Sequence, residues 1–143
     1  MLGNICFNTV DRMRTRLSLE RLLLIAEARL GVPYQELEEA VCVFRAQSAL
    51  AAPFFRIYGV LFFPDPADQA AICAYRLLRT RPFPLGNRLI AYEAMREMLV
   101  LGEREWFRLT EEAEDVGDTL ERVEAGDMGL AEFVRWVRER VRA

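Results

Sequence analysis

Apolar residues recur mainly at helical spacing along this chain, and short polar or proline-containing segments divide the pattern into helices. Ser18 can cap a helix that runs through Leu30 and ends at Gly31. Pro33 suits the first turn of a second helix, whose apolar positions lie three and four residues apart: Leu37, Ala40, Val41 and Phe44. A less regular apolar segment at 49–52 follows.

The predicted secondary structure changes twice in the middle of the chain. Residues 54–63 are rich in aromatic and β-branched side chains around Gly59, which favours a small β-hairpin or flap. The Pro-Asp-Pro sequence at 64–66 breaks the pattern. Asp68 to Arg79 then has few polar positions, which predicts a buried helix.

The C-terminal half predicts three more helices after a loop at 82–87. The first carries an apolar face and stops at Gly102, and the second can be capped by Thr110 and ends near Gly126. The last helix has its apolar face at Leu130, Phe133, Val134, Val137 and Val141. With no repeat and no linker, the pattern predicts one all-α domain of about six helices over 18–143, preceded by an N-terminal arm at 1–17.

Composition narrows the possible chemistry. The chain has no histidine and no lysine, so all 19 basic residues are arginine. The net charge of −3 argues against direct nucleic-acid binding. Within 69–92 the only charged residues are arginines, whereas 111–127 holds eight acids and one base. We therefore expect a positive patch beside the 82–87 loop, formed by Arg76, Arg79, Arg81 and Arg88, and an acidic face elsewhere.

The three cysteines and the termini indicate an ordinary cytoplasmic protein. Cys6, Cys42 and Cys73 are far apart and have no histidine partners, which fits neither a disulfide framework nor a zinc site. We expect buried, reduced thiols. The N-terminus shows no secretory pattern and no apolar run reaches the length of a membrane span, so we expect a cytoplasmic location.

The 82–87 loop allows two interpretations. It can be a plain helix–helix connection, in which prolines block the helix, Gly86 permits a tight turn and Asn87 caps the next helix. Alternatively, the Gly-Asn turn exposes unpaired N–H groups at the positive end of a helix dipole, which is an anion site. Arginine pairs well with phosphate through its planar fork. The candidate anion-binding residues are thus Arg81, Gly86, Asn87 and Arg88.

Residues Arg81 to Ala91, called here the 81–91 segment, carry a resemblance. They resemble the His-Pro-Phe-x-Asp-Gly-Asn-Lys-Arg-Thr-Ala loop of the Doc (death-on-curing) branch of the Fic superfamily. Flanking segments are similar to the family as well, so that the resemblance covers roughly 18–140: Ser48–Pro53, Ala67–Thr80, Met95–Gly102, Val123–Gly126 and Leu130–Val137.

The resemblance implies a fold and a chemistry. Intact members are transferases: Fic enzymes move AMP from a nucleotide to a protein hydroxyl, and Doc toxins phosphorylate a translation elongation factor. The loop histidine takes the proton from the target hydroxyl, the loop acid holds Mg²⁺, and the Gly-Asn pair with the following basic residues cradles phosphates. A Doc/Fic-like helical domain would thus span 18–143.

This sequence departs from the family at the reactive positions. Arg81 stands at the histidine position, Leu85 at the acid position and Leu89 at the family arginine, while Arg88 replaces the Doc lysine. Arginine is not a general base near neutral pH, and leucine offers no oxygen to Mg²⁺. The remaining motif positions match: Pro82, Phe83, Gly86 and Asn87.

Three hypotheses follow. The leading one is an inactive Doc/Fic-fold protein of the toxin–antitoxin type, whose loop binds an anion such as ATP or another nucleotide, or a protein partner such as an antitoxin-like peptide, without loop-bound Mg²⁺. The second is an active transferase of phosphate or AMP that uses Asp65, Asp68 or Glu93 as its base. The third is a purely structural helical interaction protein.

Overall fold

The computed structural model describes residues 14–106 and 113–142. In this part of the chain seven α-helices alternate with short turns and two small hairpin-like strand pairs. The helices are α1 Leu19–Leu30, α2 Tyr34–Ala40, α3 Val43–Ala51, α4 Pro66–Thr80, α5 Asn87–Leu101, α6 Ala113–Ala125 and α7 Leu130–Arg138. The strands are β1 Arg56–Ile57, β2 Val60–Leu61, β3 Glu105–Trp106 and β4 Val141–Arg142, and a 3₁₀ turn spans Ala52–Phe54. The prediction of a mainly α-helical domain is confirmed.

Local capping residues set several helix boundaries. The Ser18 hydroxyl accepts a hydrogen bond from the Arg21 N–H at the start of α1, and Gly31 ends this helix. The Asp65 carboxylate accepts from the Ala67 N–H at the start of α4. The boundaries at Ser18 and Gly31 were predicted, whereas the helix predicted from Asp68 begins at Pro66, two residues earlier. The predicted arm at 1–17 and the cap Thr110 lie mostly or wholly outside the described residues.

The prediction of a single helix from Pro33 through Phe44 is wrong, because this part of the chain forms two helices. α2 ends at Ala40, Val41 is extended, and α3 begins at Val43. The Cys42 N–H donates a 2.8 Å hydrogen bond to the Pro82 carbonyl, so it cannot continue the α2 ladder. The segment at 49–52, expected to be irregular, forms the end of α3 and the first residue of the 3₁₀ turn. This split yields seven helices instead of about six.

α4 is the central helix of the fold. It packs against α3, α5, α6 and α7, and most of its residues are buried, as its apolar pattern predicted. Two buried polar residues in its first turns have partners: Asp68 receives a bidentate pair from Arg138 at 2.7 Å, and Gln69 accepts from the Thr15 hydroxyl at 2.7 Å. α4 therefore lies at the centre of the core and contacts both Thr15, near the start of the described residues, and α7.

The predicted flap is a two-stranded antiparallel hairpin. Arg56 lies opposite Leu61 and Ile57 opposite Val60. Tyr58 and Gly59 form the turn, both with positive φ, which is the geometry of a tight hairpin turn. The pairing of β3 with β4 was not predicted: Val141 lies in β4, whereas its spacing placed it in the last helix, which ends at Arg138.

The described cysteines differ in environment. Cys73 is fully buried in α4, as expected, and burial raises the pKa of its thiol to about 12. Cys42 is exposed, so the expectation of a buried thiol is wrong there, because the break between α2 and α3 turns this residue outward. Cys6 lies outside the described residues.

This difference predicts selective alkylation. In the native protein at pH 8, iodoacetamide is expected to modify Cys42 within minutes and to leave Cys73 unmodified, because only a thiolate in contact with solvent reacts. Peptide mass spectrometry after timed quenching measures both sites. In urea the two thiols should react at similar rates. Rapid native labelling of Cys73 would contradict the buried position of α4.

Helices that are long and apolar enough to cross a lipid bilayer are absent from the described part of the chain.

Candidate functional site

The 81–91 segment connects the end of α4 to the start of α5. Arg81 caps α4 in the left-handed conformation, with φ 49° and ψ 66°, and its N–H donates to the Leu77 carbonyl. A non-glycine residue in this region costs about 1–2 kcal/mol. The Arg81 side chain is exposed, and its guanidinium forms no ion pair or hydrogen bond with the described residues. The positive charge of Arg81 is therefore available to bind a ligand.

Asn87 closes the turn from inside. Its side chain is 5% exposed, its Oδ1 accepts from the Phe83 N–H at 3.0 Å, and its Nδ2 donates to the Phe83 carbonyl at 2.8 Å. Phe83 itself is buried. Asn87 is thus the first residue of α5 and not its cap, and the interpretation that it caps the helix is wrong, because both polar groups of its amide are used within the loop.

Gly86 takes the position before α5 and leaves the first N–H groups of that helix open. Its φ is 78°, and a β-carbon there would collide with the Leu30 side chain at the end of α1. The Ile90 N–H is the first to find a carbonyl, that of Gly86. Pro84 and Leu85 are both exposed, so neither side chain is buried over this helix start.

Arg88 does not point freely into solvent. Its Nη1 lies 3.9 Å from Glu121 Oε2 and its Nε lies 3.7 Å from Glu124 Oε2, both on α6. The acidic face was expected away from the loop, and this expectation is wrong, because α6 packs beside the start of α5. Both distances are long, and the Arg88 side chain is half exposed, so each pair contributes about 0–1 kcal/mol. An anion could therefore displace them at small cost.

The arginines of the predicted positive patch separate in the structure. Arg79 donates to the Val123 and Glu124 carbonyls at the end of α6, and Arg76 donates to the Ser48 hydroxyl. Arg81 and Arg88 alone of the four remain beside the loop. Arg45 was not predicted to lie here, and its Nη1 lies 3.4 Å from the Thr80 carbonyl at the same turn. The charge at the loop is therefore smaller than the sequence indicated.

The carboxylates considered as an alternative base lie elsewhere. Asp65 and Asp68 stand at the start of α4, which places them roughly 20 Å along the helix from Arg81. Glu93 lies 3.6 Å from Arg29 and 3.8 Å from Arg96 on the α1–α5 face. The acids that lie near the segment are Glu121 and Glu124. In the sequence, only their three-residue spacing indicated that they share one helix face.

No group of three or more acidic, cysteine or histidine side chains in the described residues is arranged to hold a metal ion. Comparisons of the chain with models of protein families, with curated proteins and with solved structures find no match.

Proposed function

We propose that this chain is a Doc/Fic-like protein of the toxin–antitoxin type that lacks transferase chemistry and binds a phosphate-bearing anion, such as a nucleotide, at Arg81, Gly86, Asn87 and Arg88. The observation that carries the proposal is the form of the turn. The start of α5 at Gly86 has no side-chain cap, and the Asn87–Phe83 hydrogen bonds fix the turn before it. Arg81, whose guanidinium has no partner among the described residues, begins the same turn.

The anion-binding part of the proposal rests on charge and on unpaired donors. The first N–H groups of the 15-residue helix α5 have no side-chain cap, and in the sequence Arg81 lies six residues before this helix and Arg88 is its second residue. Hydrogen bonds to charged groups contribute about 1.5–3 kcal/mol each, so two arginine contacts give a dissociation constant between about 0.04 and 6 mM. A phosphate group satisfies both guanidinium forks in a way that a halide does not.

The proposed absence of transferase activity is based on Arg81 and Leu85. A guanidinium keeps its proton near neutral pH and cannot accept one from a hydroxyl, and loss of a general base costs about 10²- to 10⁴-fold in rate. Leu85 supplies no ligand for Mg²⁺. Phosphoryl transfer depends on charge stabilisation by that metal, so the two substitutions act against the same step.

Titration calorimetry with pyrophosphate and with ATP, each with and without Mg²⁺, tests the proposal. We expect binding that does not need Mg²⁺ and that weakens about tenfold in each of Arg81→Gln and Arg88→Gln. Arg96→Gln removes the same charge eight residues further along α5, where Arg96 lies near Glu93, and serves as the matched control. If neither anion binds, the anion-binding function is wrong and a structural interaction protein remains.

Glu124 gives a prediction of opposite sign. Glu124→Gln is expected to strengthen pyrophosphate binding about three- to tenfold, because the carboxylate competes for Arg88 and repels the anion. Glu93→Gln, which removes an equal charge beside Arg29, should leave the affinity unchanged. Calorimetry at low ionic strength measures both variants. Weaker binding in Glu124→Gln would mean that Arg88 does not contact the anion.

The proximity of Glu124 to Arg88 also favours a second candidate function, a transferase with a carboxylate base. Incubation of the chain and a bacterial extract with α- or γ-labelled ATP distinguishes it. If label is incorporated into protein with the unchanged chain but not with the Glu124→Gln variant, the chain is a transferase and the assignment as inactive is wrong. With an intact Doc protein as positive control, an absence of label supports the binding function.

A further inference from the structure

A second surface lies along α4, away from the 81–91 segment. Two adjoining cavities of about 400 and 450 Å³ lie between α4, α7 and the residues that flank the β1–β2 hairpin, and both are lined by Phe63, Ile72 and Leu130. The second cavity also reaches the end of α3. We call them together the hairpin groove. Its walls include no residue of the 81–91 segment, so the two surfaces share no lining residue.

The groove continues onto an apolar patch on the hairpin. Phe55, Phe62 and Phe63 form a run of edge-to-face contacts, with ring centroids 6.5 and 4.8 Å apart. The side chains of Ile57, Tyr58 and Val60 are exposed beyond them. Five large apolar side chains thus face solvent within eight residues, and an exposed patch of this kind marks an interaction surface.

The border of the groove is positively charged. Arg76, Arg135 and Arg138 line it, and Asp68 is the single acid among the described lining residues. Arg138 already pairs with Asp68 at 2.7 Å. The Arg135 guanidinium forms no ion pair or hydrogen bond with the described residues. Excess positive charge therefore remains at the border after the internal pair is satisfied.

We propose that the hairpin groove binds an acidic amphipathic segment of a partner protein. The apolar side of the segment packs on Phe55, Phe63 and Leu130, and its carboxylates meet Arg76 and Arg135. Burial of the aromatic patch supplies the affinity, and the arginines select for acidic partners and speed association.

Charge decides between this partner and a second copy of the chain. A twofold interface places the same patch on both sides, so it would bring the arginines of two copies into one interface. Like charges brought together in this way cost several kcal/mol. The concave shape of the groove also suits an inserted segment better than it suits the plane of a lipid surface.

Two designed peptides of about 16 residues test the proposal by fluorescence anisotropy. Both carry leucines at helical spacing, and their polar positions are all glutamate in one and all arginine in the other. We expect the acidic peptide to bind, and the basic peptide to bind at least about tenfold more weakly.

Surface variants locate the binding. Phe55→Ser and Arg135→Glu are each expected to weaken the acidic peptide about tenfold. Val100→Ser and Arg96→Glu introduce the same new residues at exposed apolar and arginine positions outside the groove, on α5, and should leave the affinity unchanged. Circular dichroism checks that all four variants remain folded, which their exposure predicts. Pyrophosphate affinity should not change in Phe55→Ser, so a failure here is distinguishable from a failure at the loop.

Three results would overturn the proposal. The first is equal binding of the acidic and basic peptides, or equal effects of the groove variants and their controls. The second is concentration-dependent self-association that Phe55→Ser abolishes, which would make a second copy the occupant. The third is sedimentation of the protein with phosphatidylglycerol vesicles, again lost in Phe55→Ser, without peptide binding.

Discussion

Replacement of Asn87 by alanine is expected to lower the free energy of unfolding by about 2–4 kcal/mol, because the Phe83 N–H and carbonyl both lose their partner in a buried position. The higher helix propensity of alanine returns only a few tenths of a kcal/mol. Without the amide bridge the turn is free to relax, so pyrophosphate binding should be lost as well. Urea unfolding followed by tryptophan fluorescence measures the stability.

An aspartate at the same position provides the control for this result. Asn87→Asp keeps an acceptor for the Phe83 N–H but places a carboxylate against the Phe83 carbonyl. As the pH falls toward about 4 the carboxyl gains a proton and can donate, so this variant should recover stability relative to Asn87→Ala. A stability change below about 0.5 kcal/mol in Asn87→Ala would contradict the role of the bridge.

A pair of glycines should respond to alanine with opposite signs. A β-carbon at Gly102 would collide with Cβ of Pro66, which is rigid in the first turn of α4, and would lie 3.2 Å from the Thr15 methyl group. We expect Gly102→Ala to lower the free energy of unfolding by about 1–3 kcal/mol through overpacking. Gly117 lies in the middle of α6 with open space around it, so Gly117→Ala should raise stability by about 0.5–1 kcal/mol.

Thermal unfolding by circular dichroism separates the two glycine variants. The melting temperatures should move in opposite directions, by about 3 °C per kcal/mol for a chain of this size. Gly117→Ala also controls for the general effect of alanine in a helix. A stabilised Gly102→Ala would show that α4 and the end of α5 are packed less closely than the structure indicates.

The helix boundaries that local chemistry controls were predictable from the sequence. Ser18, Gly31 and the Pro-Asp-Pro break each act through atoms within a few residues. The break between α2 and α3 was not predictable, because it depends on a hydrogen bond from Cys42 to Pro82, 40 residues further along the chain. Gly102 illustrates both cases: its position at a helix end was predicted, but its contact with Pro66 was not.

The candidate site also has features that were predictable from nearby residues and features that depend on tertiary packing. The turn at Gly86 follows from the Gly-Asn sequence, and the structure has it with positive φ. The partners of Arg88 could not be read from its neighbours, because Glu121 and Glu124 come from a helix that tertiary packing brings alongside. The amide of Asn87 turned inward for a related reason: the buried polar groups of Phe83 need a partner, and no closer side chain supplies one.

The contact of Arg79 with the end of α6 has a thermodynamic consequence. Because its guanidinium holds the Val123 and Glu124 carbonyls, α6 stays attached to α4 even when an anion draws Arg88 away from Glu124. Occupation of the loop then requires only rotation of side chains, and little apolar surface changes its exposure. The heat capacity change of anion binding should accordingly be close to zero, whereas filling the hairpin groove should give a clearly negative one.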